Sequence, residues 1–406
     1  MTPPRTSWSG TVRYRVEHVE VPTDVDAVRR AVTAHDHVRV LGTGHTFNEL
    51  PDTVEAISLE RMRDVEVVGD AVEVGGGATF SDVATALRPH DLALANLASL
   101  PHITVAGAVA TGTHGSGLDA PNLASMVRAV DLVTADGELH PVRRGDDDFP
   151  GSVVALGALG VVTRLELDVV PARDHRQVVL TGLAATDLAE SIDTVMRLGR
   201  SVSVFTRWDD TPARLWVKRR DDDVGDLPGE WPAATTEQHP IDGLDTVNTT
   251  PQLDVPGWWA DRLPHFRMGF TPSVGNEVQS EYHVARAHAP AAVEALRAVG
   301  DRFADVLQVS EIRSVAADEL WLSPQHQRAS TSFHFTWIGD QALATAATRV
   351  VEDALAPFDP RPHWGKLFTL DPRSSYPRLP DFLALRDRLD PTGRFVNPWL
   401  QRTLGL

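Results

Sequence analysis

The sequence contains no cysteine, which excludes disulfides, thiolate metal sites and a cysteine nucleophile. It contains no run approaching the ~18 apolar residues of a membrane-spanning helix. The N-terminus shows no charged segment ahead of an apolar core, so no secretory signal is expected. Positive charge is scarce, with 38 Lys and Arg against 56 Asp and Glu and a net charge of -18. Such a surface repels phosphates, so no nucleic-acid partner is expected. These absences point to a cytoplasmic protein with a well-hydrated surface and no membrane partner; a monomer is expected, though nothing in the sequence fixes the oligomeric state. After Lys218 the only lysine is Lys366.

Several motifs are also missing. There is no H-E-x-x-H and no G-x-S-x-G, so zinc-peptidase and serine-hydrolase chemistry is disfavoured. There is no G-x-x-x-x-G-K-S/T phosphate loop, and no G-x-G-x-x-G between a strand and a helix. His35-Asp36-His37 stands alone and reads as a solvated turn, so no metal is expected. No internal repeat is visible. A length of 406 residues with 42% hydrophobic residues fits two domains with sizeable cores.

Two glycine-rich stretches stand out. Val38-Arg39-Val40-Leu41 reads as a short buried strand ending in Gly42-Thr43-Gly44, followed by His45-Thr46-Phe47-Asn48. Two close glycines let backbone turn sharply beside a ligand, and the nearby amides can form an anion nest. Alone, such a run is an ordinary turn with a surface histidine. The second stretch, Thr104 to Gly117, is almost entirely small residues. It has little bulk to bury as a core helix or strand, and it suits backbone lying against a planar ligand and its phosphates.

These stretches, with S-L-P-H-I-T-V-A-G at 99–107 and L-G-A-L-G-V-V-T at 156–163, resemble flavoenzymes of the vanillyl-alcohol oxidase type. Within that group the likeness is to the alditol oxidases. It is strengthened by S-E-I-R-S-V-A-A-D at 310–318, H-F-T-W at 334–337, R-P-H-W-G-K at 361–366 and L-D-P-T-G-R-F-V-N-P at 389–398.

The resemblance implies a two-domain α/β and α+β flavoprotein. A flavin domain would span about 1–175 and be completed by 367–406, with a substrate domain at about 176–366. It implies FAD bound covalently through His45; without cysteine, the cysteinyl linkage of some relatives is excluded. Arg39, Leu41, Gly42, Thr43, Gly44, Thr46, Ser99, Leu100, Thr104, Ala106 and Gly107 would contact the cofactor. So would Thr111, Gly112, His114, Gly115, Gly160, Val162 and His363. Ser99, Glu311, Arg313, His334, Thr336 and Lys366 would bind a linear polyol such as xylitol, sorbitol or glycerol. Lys366, Arg313 and His334 would be catalytic. Oxygen would be reduced to hydrogen peroxide. Ala98 would lie beside the flavin, where side-chain size can obstruct oxygen. The alternatives are a sugar or sugar-lactone dehydrogenase of the same fold using another acceptor, and a carbohydrate-binding protein without redox turnover.

Pattern alone places Glu311 and Arg313 on one strand face, and His334 and Thr336 on another. Taken singly, each has a plainer reading: a surface ion pair, a structural histidine, a strand threonine, and for Lys366 a snorkelling lysine. Alternation predicts strands over 11–21 and 161–170. Helices are expected from Thr23 to about Ala34, from Phe80 capped by Ser81, over 153–159, from Pro290, over 349–356 and over 382–388. The Asp-, Pro- and Trp-rich stretch at 209–256 reads as long loops of the kind that lie over a site.

Overall fold

The computed structural model describes residues 6–223, 225, 227–269 and 276–406. The first helix, Val25–Ala34, begins at Asp24, whose carboxylate accepts from the Ala27 amide at 2.8 Å. Thr23 is not the cap; its hydroxyl donates to the Asp24 side chain instead. Val28, Ala31 and Val32, three or four residues apart, form the buried stripe.

The strand expected over 11–21 contracts to His18–Glu20. It runs parallel to Glu55–Ile57, which pairs in turn with Arg39–Val40. The alternation ahead of it still has a cause: Val12, Tyr14 and Val16 are buried against Leu41 and Ala56 without a ladder.

A five-stranded antiparallel sheet follows, in the order Val65–Val68, Ala71–Gly75, Val161–Asp168, Val127–Val133, Leu139–Arg143. Its second strand, Ala71–Gly75, runs into Gly76 and Gly77. A Cβ there would stand 2.1 Å from the Val162 carbonyl oxygen or 1.8 Å from that of Leu59, so only glycine fits. Helix Phe80–Leu87 is capped by Thr79 rather than Ser81. Thr79 and Asp82 exchange backbone and side-chain hydrogen bonds in a capping box.

The small-residue stretch contains a six-residue helix, Val105–Ala110, which corrects the reading of that run as non-helical. Small side chains do not forbid a helix; they let one approach its surroundings closely. The helix expected over 153–159 lies earlier, at Phe149–Val153. Leu156 and Gly157 adopt positive φ (54° and 65°) and cannot continue it.

The second large unit is a seven-stranded antiparallel sheet. Its order is His175–Leu183, Ala213–Arg220, Ser201–Thr206, Leu307–Val315, Ser330–Ile338, Glu277–Ala285, Arg361–Pro362. Period-two alternation gives it two unlike faces. Val204, Leu215, Ile312, Phe333, Phe335, Trp337 and Tyr282 pack against helices Leu188–Val195, Ala289–Arg297 and Gln341–Leu355. Burying each such side chain contributes roughly 1.5–3 kcal/mol. The opposite face carries polar side chains on five strands, among them Lys218, Ser203, Glu311, His334 and Glu281, beside a small apolar cluster of Val179, Phe205, Trp216 and Val309.

The chain then returns to its beginning. The tail helices are Leu379–Leu389 and Pro398–Leu404, the second absent from the sequence reading. Asn397 Nδ2 donates to the carbonyls of Glu49, Leu50 and Asp52. Buried Arg39 donates to the carbonyls of Phe395 and Leu156.

Candidate active site

A cavity of about 600 Å³ lies between the glycine-rich loops and the polar face of the seven-stranded sheet. On the loop side, Gly42–Thr46 leaves the Arg39–Val40 strand, with Gly44 at φ 73°. A Cβ on Gly42 or Gly107 would stand 2.8 Å from Thr104 Oγ1, so bulk here would push the loop and the short helix apart. Arg39, Leu41, Thr43, His45, Thr46, Ala98, Ser99, Leu100, Ala106, Thr111, His114, Gly160, Val162 and His363 also line the space.

Gly112 and Gly115 do not. Gly112 has φ 66° and faces Pro324, while Gly115 sits against Leu97 and Asn96. Both serve packing and turn geometry, and neither lines the cavity.

His45 is mostly buried and stacks on Trp8 with ring centroids 5.1 Å apart. Among the described residues, neither of its ring nitrogens has a hydrogen-bond partner. Burial, with His102 and Lys366 nearby, pushes it down to about 4 despite the opposing Thr43 backbone. The ring is therefore neutral near pH 7, with an unprotonated nitrogen available.

The sheet side presents Glu311, Arg313, His334, Thr336, Glu281 and Gln279. Register brings them together: Glu311 pairs with His334, and His334 with Glu281. Thr336 pairs with Gln279. Glu281 is the hub. Its Oε1 accepts from His114 Nε2 at 2.9 Å, from Arg313 Nη2 at 2.9 Å and from Ser332 Oγ. Burial works to raise the Glu281 carboxyl, but His114 and Arg313 outweigh it and hold it well below the usual carboxylate range. His283 is close enough to make a metal-like trio with His114 and Glu281. The shared oxygen already carries three donors, and the Arg313 charge would repel a cation.

Glu311 is held low in the same way: burial raises it, while Arg313 and His265 lower it further. Arg313 Nε lies 3.5 Å from Glu311 Oε1, an ion-pair distance without hydrogen-bond geometry. His265 Nε2 approaches the same oxygen at 2.8 Å. His334, buried beside Lys366, is pushed down to about 3 and is neutral.

Lys366 enters from the turn after Arg361–Pro362. Asn48 Nδ2 clamps that turn by donating to the carbonyls of Trp364 and Lys366 at 2.8 Å. Lys366 Nζ donates to Gln279 Oε1, which His334 Nε2 also approaches at 3.1 Å. The ammonium lies 5.1 Å from the Phe47 ring centroid. Burial lowers its pKa, against Glu281, which raises it.

Every residue expected to touch substrate thus lies on this cavity: Ser99, Glu311, Arg313, His334, Thr336 and Lys366. Glu281, Gln279 and His265 were missed. The alternation Val278-Gln279-Ser280-Glu281-Tyr282-His283 could have revealed the first two, because it places Gln279, Glu281 and His283 on one strand face. His265 lies outside any regular element and carries no such signal. The long stretch at 209–256 does reach the site, through His239, Pro240, Ile241, Leu244 and Asn248.

The loop wall fits FAD by its own features. It combines glycines that admit no side chain, an unpartnered neutral histidine, and a cavity with room for a large ligand.

Comparisons with known proteins agree. The FAD binding domain family matches residues 16–143, and the D-arabinono-1,4-lactone oxidase family matches residues 274–403. An alditol oxidase from Streptomyces sp. is 44% identical over 411 residues, covering 98% of each chain. An L-gulono-1,4-lactone dehydrogenase from Mycobacterium tuberculosis is 28% identical over 436 residues, covering all of both chains. Among solved structures, cholesterol oxidase from B. sterolicum superposes with a TM-score of 0.76 at 16% identity, covering 98% of this chain and 96% of that one. A solvent-stable cholesterol oxidase gives 0.78 at 13%, covering 99% and 97%. Those likenesses show the fold, and the 44% identity across nearly the whole of both chains shows the family: this chain belongs to the alditol oxidases, FAD-dependent flavoenzymes of the vanillyl-alcohol oxidase type.

Proposed function

We propose that this protein oxidises the terminal hydroxyl of a linear polyol, such as xylitol, sorbitol or glycerol, to the aldose. Oxygen is the acceptor and hydrogen peroxide the second product. The observation that carries the reading is the convergence of Glu311, Arg313, His334, Thr336 and Lys366 on one cavity wall, opposite the glycine-rich loops. That wall offers alternating donors and acceptors, which suits a row of hydroxyls and not an apolar or anionic ligand. The alditol oxidase likeness at 44% also favours a polyol over a lactone, since the lactone dehydrogenase stands at 28%.

When bound, FAD supplies the two-electron acceptor for the carbinol carbon. The chain does the rest. Glu311 and Arg313 orient the polyol hydroxyls. Gln279 draws Lys366 Nζ and His334 Nε2 to one oxygen, leaving His334 Nδ1 as a hydrogen-bond acceptor. The Lys366 ammonium, held in a buried site, favours negative charge that develops on the reacting oxygen.

The unpartnered, neutral His45 supports a covalent bond from this ring to the flavin. We divide the chain into a flavin domain of about 1–175 and 367–406 and a substrate domain of about 176–366. The contacts of Asn397 and Arg39 support the return of the tail. The reading extends to a cytoplasmic monomer, checked by cell fractionation and sedimentation; among the described residues no helix is long and apolar enough to cross a membrane.

Anaerobic addition of xylitol to the yellow protein tests the reaction. Bleaching, with colour and peroxide returning on admission of air, is the expected result. A flavin that stays oxidised with every alditol but is reduced by a sugar lactone would shift the reading to a lactone dehydrogenase.

A further inference from the structure

The chain has only two lysines, and both bring their ammonium to the polar face of the seven-stranded sheet, Lys218 from a strand and Lys366 from a turn. Lys366 is at the cavity. Lys218 lies on the Ala213–Arg220 strand and is 1% exposed. Its Nζ donates to the Leu263 carbonyl and meets His265 Nδ1 at 3.0 Å. On the other side of the same ring, His265 Nε2 stands 2.8 Å from Glu311 Oε1.

An ammonium can only donate and a carboxylate can only accept. The imidazole between them is therefore the tautomer that accepts at Nδ1 and donates from Nε2. Phe205 and Trp216 meet the ring edge-on, with centroids 5.5 and 5.2 Å away, and oppose its rotation. The His265 amide donates to the Ser99 carbonyl at 3.2 Å, tying this loop to the cavity's other wall. Among the described residues, the hydrogen bond to the Glu311 side chain falls on Oε1, and Oε2 accepts none.

We infer that Lys218 and His265 are positioning residues for substrate: the chain from Lys218 through His265 fixes Oε1 of Glu311 and leaves Oε2 to accept a polyol hydroxyl. This rests on the polyol reading above and adds to it the residues that aim the carboxylate. A buried amine with no function is costly, because desolvation penalises its charge unless partners repay it. An apolar side chain beside Trp216 would avoid that cost.

The test uses the full-length, flavin-loaded protein and the variants Lys218→Met, His265→Leu and His265→Gln. Lys218→Met and His265→Leu are expected to raise the KM for xylitol about tenfold, the loss of one charge-assisted hydrogen bond, with a smaller change in kcat. His265→Gln keeps one donor and one acceptor and should recover most of the loss. In protein labelled with ¹⁵N-histidine, the resonances that vanish in His265→Gln identify His265. They should show an Nε2–H tautomer in the wild type, with the Nδ1 resonance shifted by its hydrogen bond from Lys218, and that shift should be lost in Lys218→Met. An unchanged Nδ1 resonance with an unchanged KM in Lys218→Met overturns the inference, as does a His265→Gln variant no better than His265→Leu. If Lys218→Met does not fold, the two His265 variants carry the test. If the wild type oxidises no alditol, the functional reading fails separately, and the Nδ1 resonance still decides whether the chain of hydrogen bonds exists.

Discussion

Arg313 reaches across the intervening strand and places Nη2 2.9 Å from Oε1 of Glu281, both side chains buried. Taken singly in the sequence, Glu311 and Arg313 read as a surface ion pair, whose removal would cost little if the pocket were open. Their burial, 4% and 7% exposed, reverses that expectation. Removing one partner of a buried pair leaves an uncompensated charge and costs about 3–5 kcal/mol. Arg313→Met should therefore lower unfolding free energy by about that amount in urea titrations, as well as abolish polyol turnover. The exposed pair Arg63–Asp82 is the control, where removal should cost roughly 0–1 kcal/mol. Equal losses in the two variants would mean that the hub is not buried in solution.

His45 should hold the flavin covalently. After acid precipitation the yellow colour should stay with the polypeptide, and the intact mass should exceed the chain mass by that of FAD. His45→Ala should release the flavin to the supernatant. Free FAD recovered from the wild type would sink the assignment.

Lys366→Met keeps most of the stem and removes the charge. Loss of one preorganised electrostatic contact typically costs about 10²–10³ in kcat. Stopped-flow flavin reduction by saturating xylitol should slow accordingly, with kcat and kcat/KM falling together. Sulfite affinity should fall as well, because the adduct also carries negative charge. Reduction at the wild-type rate would make Lys366 a packing residue.

The pH dependence of substrate affinity should report Lys218. Burial pushes this amine down to about 7, with Glu311 opposing the shift and Arg313 reinforcing it; His265 is the titratable ring in contact with it. Below that value the ammonium can only donate to His265. As pH rises through about 7 the proton is lost, the charge-assisted bond that holds His265 Nδ1 weakens to that of a neutral amine, and the KM for xylitol should rise. Lys218→Met should lack this inflection. His334 and His363, each pushed down to about 3 by burial, should contribute no inflection between pH 5 and 9.

The sequence by itself determined the flavin-site chemistry and much of the local structure. Glycines at 42, 76 and 107 signal backbone approaches that crowd out a Cβ, Gly44 signals a positive φ, and that information is local. Alternation in Glu311–Arg313 and His334–Thr336 predicts shared strand faces because the side-chain period of a strand is two. Helix caps were only partly legible: Ser, Thr and Asp compete at adjacent positions, and tertiary packing chose Thr79 over Ser81 and Asp24 over Thr23. Only the tertiary structure decided which strands are neighbours. The pairing of Leu307–Val315 with Ser330–Ile338, and of that strand with Glu277–Ala285, turns separate polar residues into one buried network centred on Glu281. Strand order depends on long-range packing of the opposite, apolar face, which no local pattern encodes. For the same reason no local pattern shows that Gly112 packs against Pro324 and Gly115 against Asn96. Lys218 and His265 belong to segments far apart in sequence, and only the fold sets their side chains in line with Glu311.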